Sequence, residues 1–430
     1  MKLNKWTMIG SAVLLVAGVA PWAVGYVTEQ QWLEATEEVN QSQPFVRLET
    51  TRYQRGVFSA QASGTLALID PKTGETDQIG FEVAISHGVT GSLLDFSPNG
   101  GWQHEGVQWL EDEEPSLTLE TRLWGSAVIE LQTPPVVLEQ SDRPETVSAS
   151  GGFARVDVSR MGEQAEVLMV WPELSILGPR ADVKLQDLHV EQNMSLLSGD
   201  VWTGTGSVTL GALVVDSAEI PALSVSNVSF ETLSEASNSG QTLDSEAVLA
   251  VEAVSVNDEA YGPHRVAVSV DHLDVASWND FSSAMTDMQL MAMDAGADPR
   301  SAYEQQMALM QRFNESVRGL AASGFSVGIR ELSLDTPEGE VQGSLDISHP
   351  ELSEDERTNM LMVMQRLKGS VNLTMPLALA EKDPAVRMQL SPLVKQGLFV
   401  RDGDELVMNG QMKDLVLDIN GVQIPLPPLL

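Results

Sequence analysis

Three methionines at helical spacing form the clearest set of side chains with a common chemistry. Met285, Met288 and Met291 are three residues apart, so their thioethers would share one face of a helix. Thioethers can bind Cu(I), but methionine stripes at this spacing more often form an adaptable core. The stripe continues further along the chain, in Met307, Met310, Met360 and Met364. We therefore predict that these methionines line an apolar core or groove and bind no metal.

The motifs of common enzymes are missing from the chain. No Gly-x-Ser-x-Gly pentapeptide is present to expose a serine nucleophile. His104-Glu105 lacks the second histidine that a zincin requires on the same helix, and Gly204-Thr205-Gly206 lacks the third glycine of a dinucleotide-binding turn. The sequence predicts a protein with no catalytic residues and no cofactor, although a site assembled from distant residues stays open as an alternative.

The charge balance argues against a nucleic-acid partner. The chain has 61 acidic and 25 basic residues and a net charge of −36, and a body of this sign is repelled by phosphate backbones. Cysteine is absent, which excludes disulfides, thiolate metal sites and a lipoprotein-type acylation site. The 430 residues are enough for two or more packed units.

An uncharged segment near the N-terminus predicts a membrane anchor. Between Lys5 and Glu29 lie 23 residues without a charge, which as a helix reach about 34 Å and can cross a hydrocarbon core of about 30 Å. Aromatic side chains near the ends, such as Trp6 and Tyr26, suit the two membrane interfaces. A cleaved signal peptide is the alternative, and Pro21 after the candidate cleavage position disfavours it.

The basic residues give this anchor an orientation. The positive-inside rule places Lys2 and Lys5 in the cytoplasm. We therefore predict a cytoplasmic tail over residues 1–5, a single-pass anchor in the lipid bilayer over residues 6–28, and the acidic bulk of the chain outside the cytoplasm.

A short amphipathic segment follows the anchor. Residues 29–44 are predicted to form a membrane-proximal helix and a linker. Four residues would lie on one face of this helix: Trp32, Leu33, Thr36 and Val39.

The remaining periodicity predicts a β-rich α+β protein. Two-residue alternation dominates residues 45–275 and indicates an antiparallel, strand-rich region. Residues 276–324 are predicted to be a helical insertion, and residues 325–430 a strand and helix region that completes the sheet. The clearest alternating runs are 57–69, 80–86, 116–124, 127–131, 154–158, 183–190, 207–215, 223–230, 247–256 and 266–273. We expect an elongated antiparallel sheet body whose methionine-bearing helices cover one face.

Three residues after the linker have two interpretations. In segment 53–60 the pair Arg55-Gly56 indicates a bulge or tight bend before a strand, with Tyr53 and Phe58 as core anchors. The alternative is that Tyr53, Arg55 and Phe58 form a surface for a partner. Near the C-terminus, Asn420-Gly421 between two apolar runs predicts a hairpin.

Several short segments resemble, in the same order, the YdgA-like family of uncharacterised bacterial proteins. The segments are YQRGVFSA at 53–60, SHG at 86–88, DVASW at 274–278, LTMP at 373–376 and LVLDINGVQIP at 415–425. With the anchor they span nearly the whole chain. The resemblance implies an inner-membrane protein that faces the periplasm, can self-associate and has no known enzymatic activity, and it offers no catalytic residues.

These observations predict a membrane-anchored periplasmic protein with an interaction or envelope-maintenance role and no catalytic activity. The alternative is a lipid-binding or lipid-transfer scaffold that uses an apolar groove in the sheet. The expected partners are the bilayer, a second copy of the chain, and a lipid or another envelope protein.

Overall fold

The computed structural model describes residues 5–42, 45–70, 73–102, 110, 113–139, 145–217, 219, 221–257, 259–293, 299–357, 360–382 and 384–427. For residues 5–19 and a few other helical or strand positions the description covers the backbone only. The chain divides into two compact units, Met1–Asn193 and Met194–Leu430. We call them unit 1 and unit 2 and describe each by itself.

Unit 1 contains one long helix and an antiparallel sheet. Its elements are α1 (Lys5–Ser42), β1 (Val46–Arg55), β2 (Ser59–Ile69), β3 (Thr76–His87), β4 (Gly91–Pro98), β5 (Ser116–Arg122), β6 (Ala127–Thr133), β7 (Val136–Glu139), β8 (Thr146–Ala149), β9 (Gly152–Ser159), a 3-10 turn (Arg160–Gly162), β10 (Gln164–Leu177) and β11 (Ala181–Ser198), which contains the division between the units. Strands β1 to β6 pair in chain order, β9 joins β6, and β10 pairs with both β9 and β8.

The core of unit 1 lies between α1 and this sheet. Phe81, Val83 and Ile85 alternate along β3 and are buried, as two-residue periodicity requires. They form one cluster with Leu94 and with Trp32 of α1. The helix therefore covers one face of the meander, and its contact with the sheet is the main packing of this unit.

Helix α1 differs from the two segments predicted for this region. A single helix runs from Lys5 to Ser42, so the predicted membrane-proximal helix is its continuation. Leu33 was expected on the packed face but is 49% exposed. Within the described residues, no helix has the length and hydropathy to span a bilayer. The predicted anchor falls largely on residues 6–19, whose side chains lie outside the described residues, and it stays a prediction.

Unit 2 consists of antiparallel strands with helices inserted between them. Its elements are β12 (Val201–Ser217), β13 (Leu223–Ser237), a 3-10 turn (Asn238–Gly240), β14 (Thr242–Val256), β15 (Glu259–Tyr261), β16 (His264–Asp274), α2 (Val275–Met293), α3 (Pro299–Ser323), β17 (Phe325–Thr336), β18 (Gly339–His349), α4 (Glu354–Arg357), α5 (Met360–Gln365), β19 (Lys368–Pro376), α6 (Leu377–Lys382), α7 (Pro384–Lys395), β20 (Val400–Asp402), β21 (Glu405–Lys413), β22 (Val416–Ile419) and β23 (Val422–Pro425). The pairing runs β12, β13, β14, β16, β17, β18, β19, β21, β22, β23, with β15 on β14 and β20 on β21.

Local signals in the sequence set several boundaries of unit 2. The Asp274 carboxylate accepts a 2.8 Å hydrogen bond from the amide of Ser277 and caps α2. The Glu356 carboxylate accepts from the amide and the hydroxyl of Ser353, and its bond to the amide is one of the two bonds of a capping box. The Asn420-Gly421 turn has positive φ at both residues and joins β22 to β23. The predicted hairpin is confirmed.

One face of the unit 2 sheet carries apolar side chains that other elements leave uncovered. Cross-strand pairing places Phe230 opposite Leu249, and Leu249 opposite Val266. Phe230 and Leu249 are exposed, and so is Val268, two residues further along β16. Helices α2 and α3 contact β16, but the exposure of Phe230, Leu249 and Val268 shows that they do not cover this part of the face. The chain is thus β-rich, with large antiparallel sheet and few helices.

Candidate apolar ligand site

The C-terminal half of α1 presents one continuous face to an apolar groove. Its lining residues are Thr28, Gln31, Trp32, Ala35, Thr36 and Val39. They recur at the three- and four-residue steps that place side chains on one side of a helix. From Thr28 to Val39 this face extends about 16 Å.

The opposite wall of the groove is the sheet of unit 1. Six strands contribute lining side chains: Leu48 from β1, Leu66 from β2, Ile79 and Phe81 from β3, Leu94 and Phe96 from β4, Leu117 and Leu119 from β5, and Ala127 and Ile129 from β6. Met161 of the 3-10 turn lies at the rim. The enclosed volume is about 760 Å³, and no lining residue among those described carries a charge. We call this cavity the α1 groove.

Trp32 holds the helix at a fixed position over the sheet. Its ring lies 6.2 Å from the Phe81 ring and 6.1 Å from the Phe96 ring, separations at which aromatic pairs attract. Its indole nitrogen donates a 2.9 Å hydrogen bond to the Thr50 hydroxyl. Further along α1, Asn40 donates to the carbonyl of Leu48 and accepts from its amide. These contacts keep the helix on the sheet while the groove beside it stays open.

A small polar cluster closes one end of the packed interface. The hydroxyls of Thr28 and Ser92 lie 2.7 Å apart, and Nδ1 of His87 lies 2.8 Å from the Ser92 hydroxyl. Nε2 of His87 is buried and has no hydrogen-bond partner among the described residues. It faces Gly25, where a Cβ atom would lie only 2.8 Å away. Burial lowers the pKa of His87, and the nearby Arg55 charge lowers it further.

Arg55 connects the end of β1 to α1. Its guanidinium lies 5.8 Å from the Trp22 ring centroid and 5.3 Å from the Tyr26 ring centroid, and it forms a 2.8 Å ion pair with Glu29. Arg55 is thus a cation held between aromatic rings and a carboxylate. In the same region, burial raises the pKa of the Tyr53 hydroxyl to about 12, and the charge of Glu29 contributes to this rise.

The structure separates the three residues predicted as core anchors or partner surface. Tyr53 packs against the unit 1 core, as the structural interpretation predicted. Phe58 was expected in the core by the same interpretation, but it lies in the β1–β2 turn and is 62% exposed. The register shift in β1 falls between Thr50 and Arg52, so of the two forms predicted at Arg55-Gly56, a bulge or a tight bend, the structure has the tight bend.

The candidate methionines do not form one cluster. Met364 is buried near the end of α5, and Met285 and Met288 are half-buried on α2. Met307 and Met310 are exposed on α3. The side chains of two more lie outside the described residues: Met291 and Met360. Over the described part of the chain, no group of three or more His, Asp or Glu side chains could hold a metal ion.

Sequence reasoning missed the α1 groove. The helix face was noticed, but Leu33 was assigned to it in place of Ala35, and the strands opposite were not predicted to pack against this helix. The available signal was the run from Thr28 to Val39, whose three- and four-residue spacing continues across the predicted boundary at residue 28.

Comparison with known proteins gives the family. A family model described as a bacterial protein of unknown function (DUF945) matches residues 3–427. The chain belongs to this family. No curated protein and no solved structure matches the chain. The resemblance drawn from the sequence is confirmed to this extent, and the YdgA-like name stays a prediction.

Proposed function

We propose that the chain is a membrane-anchored protein of the bacterial envelope that holds an apolar ligand of the acyl-chain class in the α1 groove and does not catalyse a reaction. The observation that carries the proposal is the groove itself. Its volume of about 760 Å³ falls in the range of small-molecule sites, about 300–1,000 Å³. Its described lining is uncharged and mainly apolar, and such cavities favour apolar occupants over water.

The shape of the groove selects an elongated ligand. The lining follows three turns of α1 and crosses β1 to β6, which suits a chain lying along the helix. Each methylene moved from water into such a site contributes about 0.8 kcal/mol. Six polar side chains, among them Gln31, Thr36 and Ser97, lie on the lining and could orient a head group.

The anchor and the compartment complete the proposal. The 23 uncharged residues between Lys5 and Glu29 support insertion in a bilayer, and the lysines before them support a cytoplasmic N-terminus. The YdgA-like resemblance supports the inner membrane and the periplasm. An anchored groove would lie close to the membrane that supplies its ligand.

A second function is supported by the uncovered face of unit 2. Exposed apolar side chains at paired positions, such as Phe230 and Leu249, favour association with a protein. We propose a second copy of the chain as the partner at this face.

The groove is tested with a fatty acid that carries a photoreactive diazirine on its chain. The full-length protein is placed in lipid nanodiscs and irradiated, and labelled peptides are identified by mass spectrometry. Adducts are expected in α1 between Thr28 and Val39 and in β5 and β6. Labelling spread evenly over the surface of the chain would contradict the proposal.

A matched pair of variants sharpens this test. Ile79 lines the groove and Ile176 of β10 does not, yet both are 47% exposed. Ile79→Glu removes apolar contact equivalent to two or three methylenes, about 2 kcal/mol, so labelling of the groove should require about thirtyfold more probe. Ile176→Glu should behave as the wild type. Equal labelling of the two variants would contradict a ligand in the α1 groove.

A further inference from the structure

At one edge of the unit 1 sheet, where strands β1, β3 and β5 end, three short turns lie side by side. The turns join β1 to β2, β3 to β4 and β5 to β6, and the strand register places them at the same edge. Backbone hydrogen bonds connect them directly. The amide of His87 donates to the carbonyl of Phe58 at 2.8 Å, and the amide of Leu123 donates to that of Thr90 at 2.9 Å. The 3-10 turn joins the same edge through a 3.0 Å bond from the Met161 amide to Gly125.

The tips of these turns are large and apolar, and they are exposed. They are Val57, Phe58, Val89, Leu123, Trp124 and Met161. We call this set the apolar edge. Trp124 is 61% exposed and Met161 76%, although isolated exposed apolar residues are ordinary and only their clustering is informative.

The opposite edge of the same sheet has the reverse character. The β2–β3 turn carries Asp70 and Glu75, and the connection from β4 to β5 carries Glu113 and Glu114. The apolar edge has arginines instead: Arg55 beside Trp22 and Tyr26, and Arg122 beside Trp124 and in an ion pair with Glu120. Aromatic rings with arginines are the side chains that membrane interfaces favour.

Helix α1 leaves unit 1 at the apolar edge. Going toward the N-terminus, Thr28, Gly25 and Val24 are buried, with Gly25 against His87 at the end of β3, and Pro21 is buried one turn further on. On the outward side of these turns, Trp22 and Tyr26 are exposed. The protein therefore covers one face of α1 as far as Pro21.

The length of α1 before Pro21 then sets the depth of the edge. Residues 6–20 reach about 22 Å as a helix, which is about 8 Å less than a hydrocarbon core of about 30 Å. If the helix crosses the bilayer, the turns packed against residues 21–26 must lie at the depth of the membrane interface. The apolar tips beside them would then be in contact with lipid.

We propose that the apolar edge of unit 1 inserts into the outer interfacial layer of the bilayer that holds α1. The inference rests on the proposed membrane anchor and is independent of a ligand in the groove. Met161 belongs both to this edge and to the lining of the α1 groove, and Gly125 of the β5–β6 turn also lines the groove. The groove therefore opens toward lipid, which gives an acyl chain a route between bilayer and groove.

The absence of cysteine from the chain allows a direct test with single-cysteine variants. Phe58→Cys and Trp124→Cys report the apolar edge, and Thr73→Cys in the β2–β3 turn is the control at the opposite edge. The full-length variants are labelled with the environment-sensitive dye NBD and reconstituted in vesicles of phosphatidylethanolamine and phosphatidylglycerol. Lipids with a doxyl group on the acyl chain then quench any dye that lies in the membrane.

Blue-shifted emission and severalfold stronger doxyl quenching at positions 58 and 124 than at 73 are expected. Equal, weak quenching at all three positions in protein that floats with the vesicles would overturn the proposal and leave the anchor intact. Protein that does not float would overturn both. A loss of NBD fluorescence at position 58 that appears only at high protein density and does not depend on doxyl lipid would assign the edge to a second copy. This result would also overturn the proposal. The photoreactive fatty acid reports the groove separately.

Discussion

Helix α1 and the sheet lie close together at Gly25. A Cβ atom at this position would lie 2.8 Å from Nε2 and 2.9 Å from Cδ2 of His87, distances that real Cβ atoms essentially never show. In Gly25→Ala, either α1 moves away from β3 or the His87 ring turns and loses its 2.8 Å contact with Ser92. Both responses loosen the packed end of the interface.

The magnitude follows from two opposing effects. Overpacking of a closely packed contact costs about 1–3 kcal/mol, and replacing a helical glycine by alanine contributes about 1 kcal/mol of stability. We expect Gly25→Ala to lower the stability of unit 1 by about 0–2 kcal/mol, the difference of these effects. In a His87→Ala background the clash is gone, so the same substitution should stabilise unit 1 by about 1 kcal/mol.

Hydrogen exchange of β3 and β4 amides in the full-length protein measures the opening free energy of this region. The two single variants and the double variant form a cycle whose coupling should be about 1–3 kcal/mol. Gly319→Ala on α3 is the control, because no atom lies within 4 Å of its added Cβ; amides of α3 should gain protection. A coupling of zero would refute the close packing of α1 on His87.

Two further predictions concern His87 at the α1 interface and the uncovered face of unit 2. Because burial holds the pKa of His87 below its usual value near 6.5, the unfolded chain binds more protons there. This contribution of His87 to the stability of unit 1 should be present in full above about pH 6.5 and fall as the pH drops below that value. Denaturant midpoints measured over a pH series should show the fall. The His87→Leu variant should have a flatter pH dependence. Phe230→Glu should weaken self-association measured by sedimentation velocity, while Met307→Glu, also at an exposed apolar position, should leave it unchanged; equal effects would count against a partner at the unit 2 face.

Much of the strand structure could be predicted, since apolar and polar residues alternate strictly along half-buried strands. The predicted runs at 80–86 and 266–273 lie inside β3 (Thr76–His87) and β16 (His264–Asp274). Turns act over a few residues and were also predictable, as Asn420-Gly421 shows. The observed strands are longer than the predicted alternating runs. Polar residues at the ends of a strand form the same backbone hydrogen bonds as apolar residues.

The site was harder to predict because its walls are distant in sequence. Thr28 and Ser92 are 64 residues apart, yet their hydroxyls touch. Composition alone could not show which part of α1 packs on the protein. Residues 21–28 are uncharged, which suits lipid and protein contact equally, and only the packing of Val24 and Gly25 on the sheet distinguishes the two. The exposed Phe58 shows the same ambiguity, since an apolar residue at a turn can serve the core or a membrane.

Native mass spectrometry of the full-length protein released from detergent tests the central claim, an acyl-chain ligand in the α1 groove, most directly. The wild type and Ile176→Glu should each carry one lipid or fatty-acid mass per chain, and Ile79→Glu should have lost it. A bare wild-type chain, or the same adduct on both glutamate variants, would contradict the account.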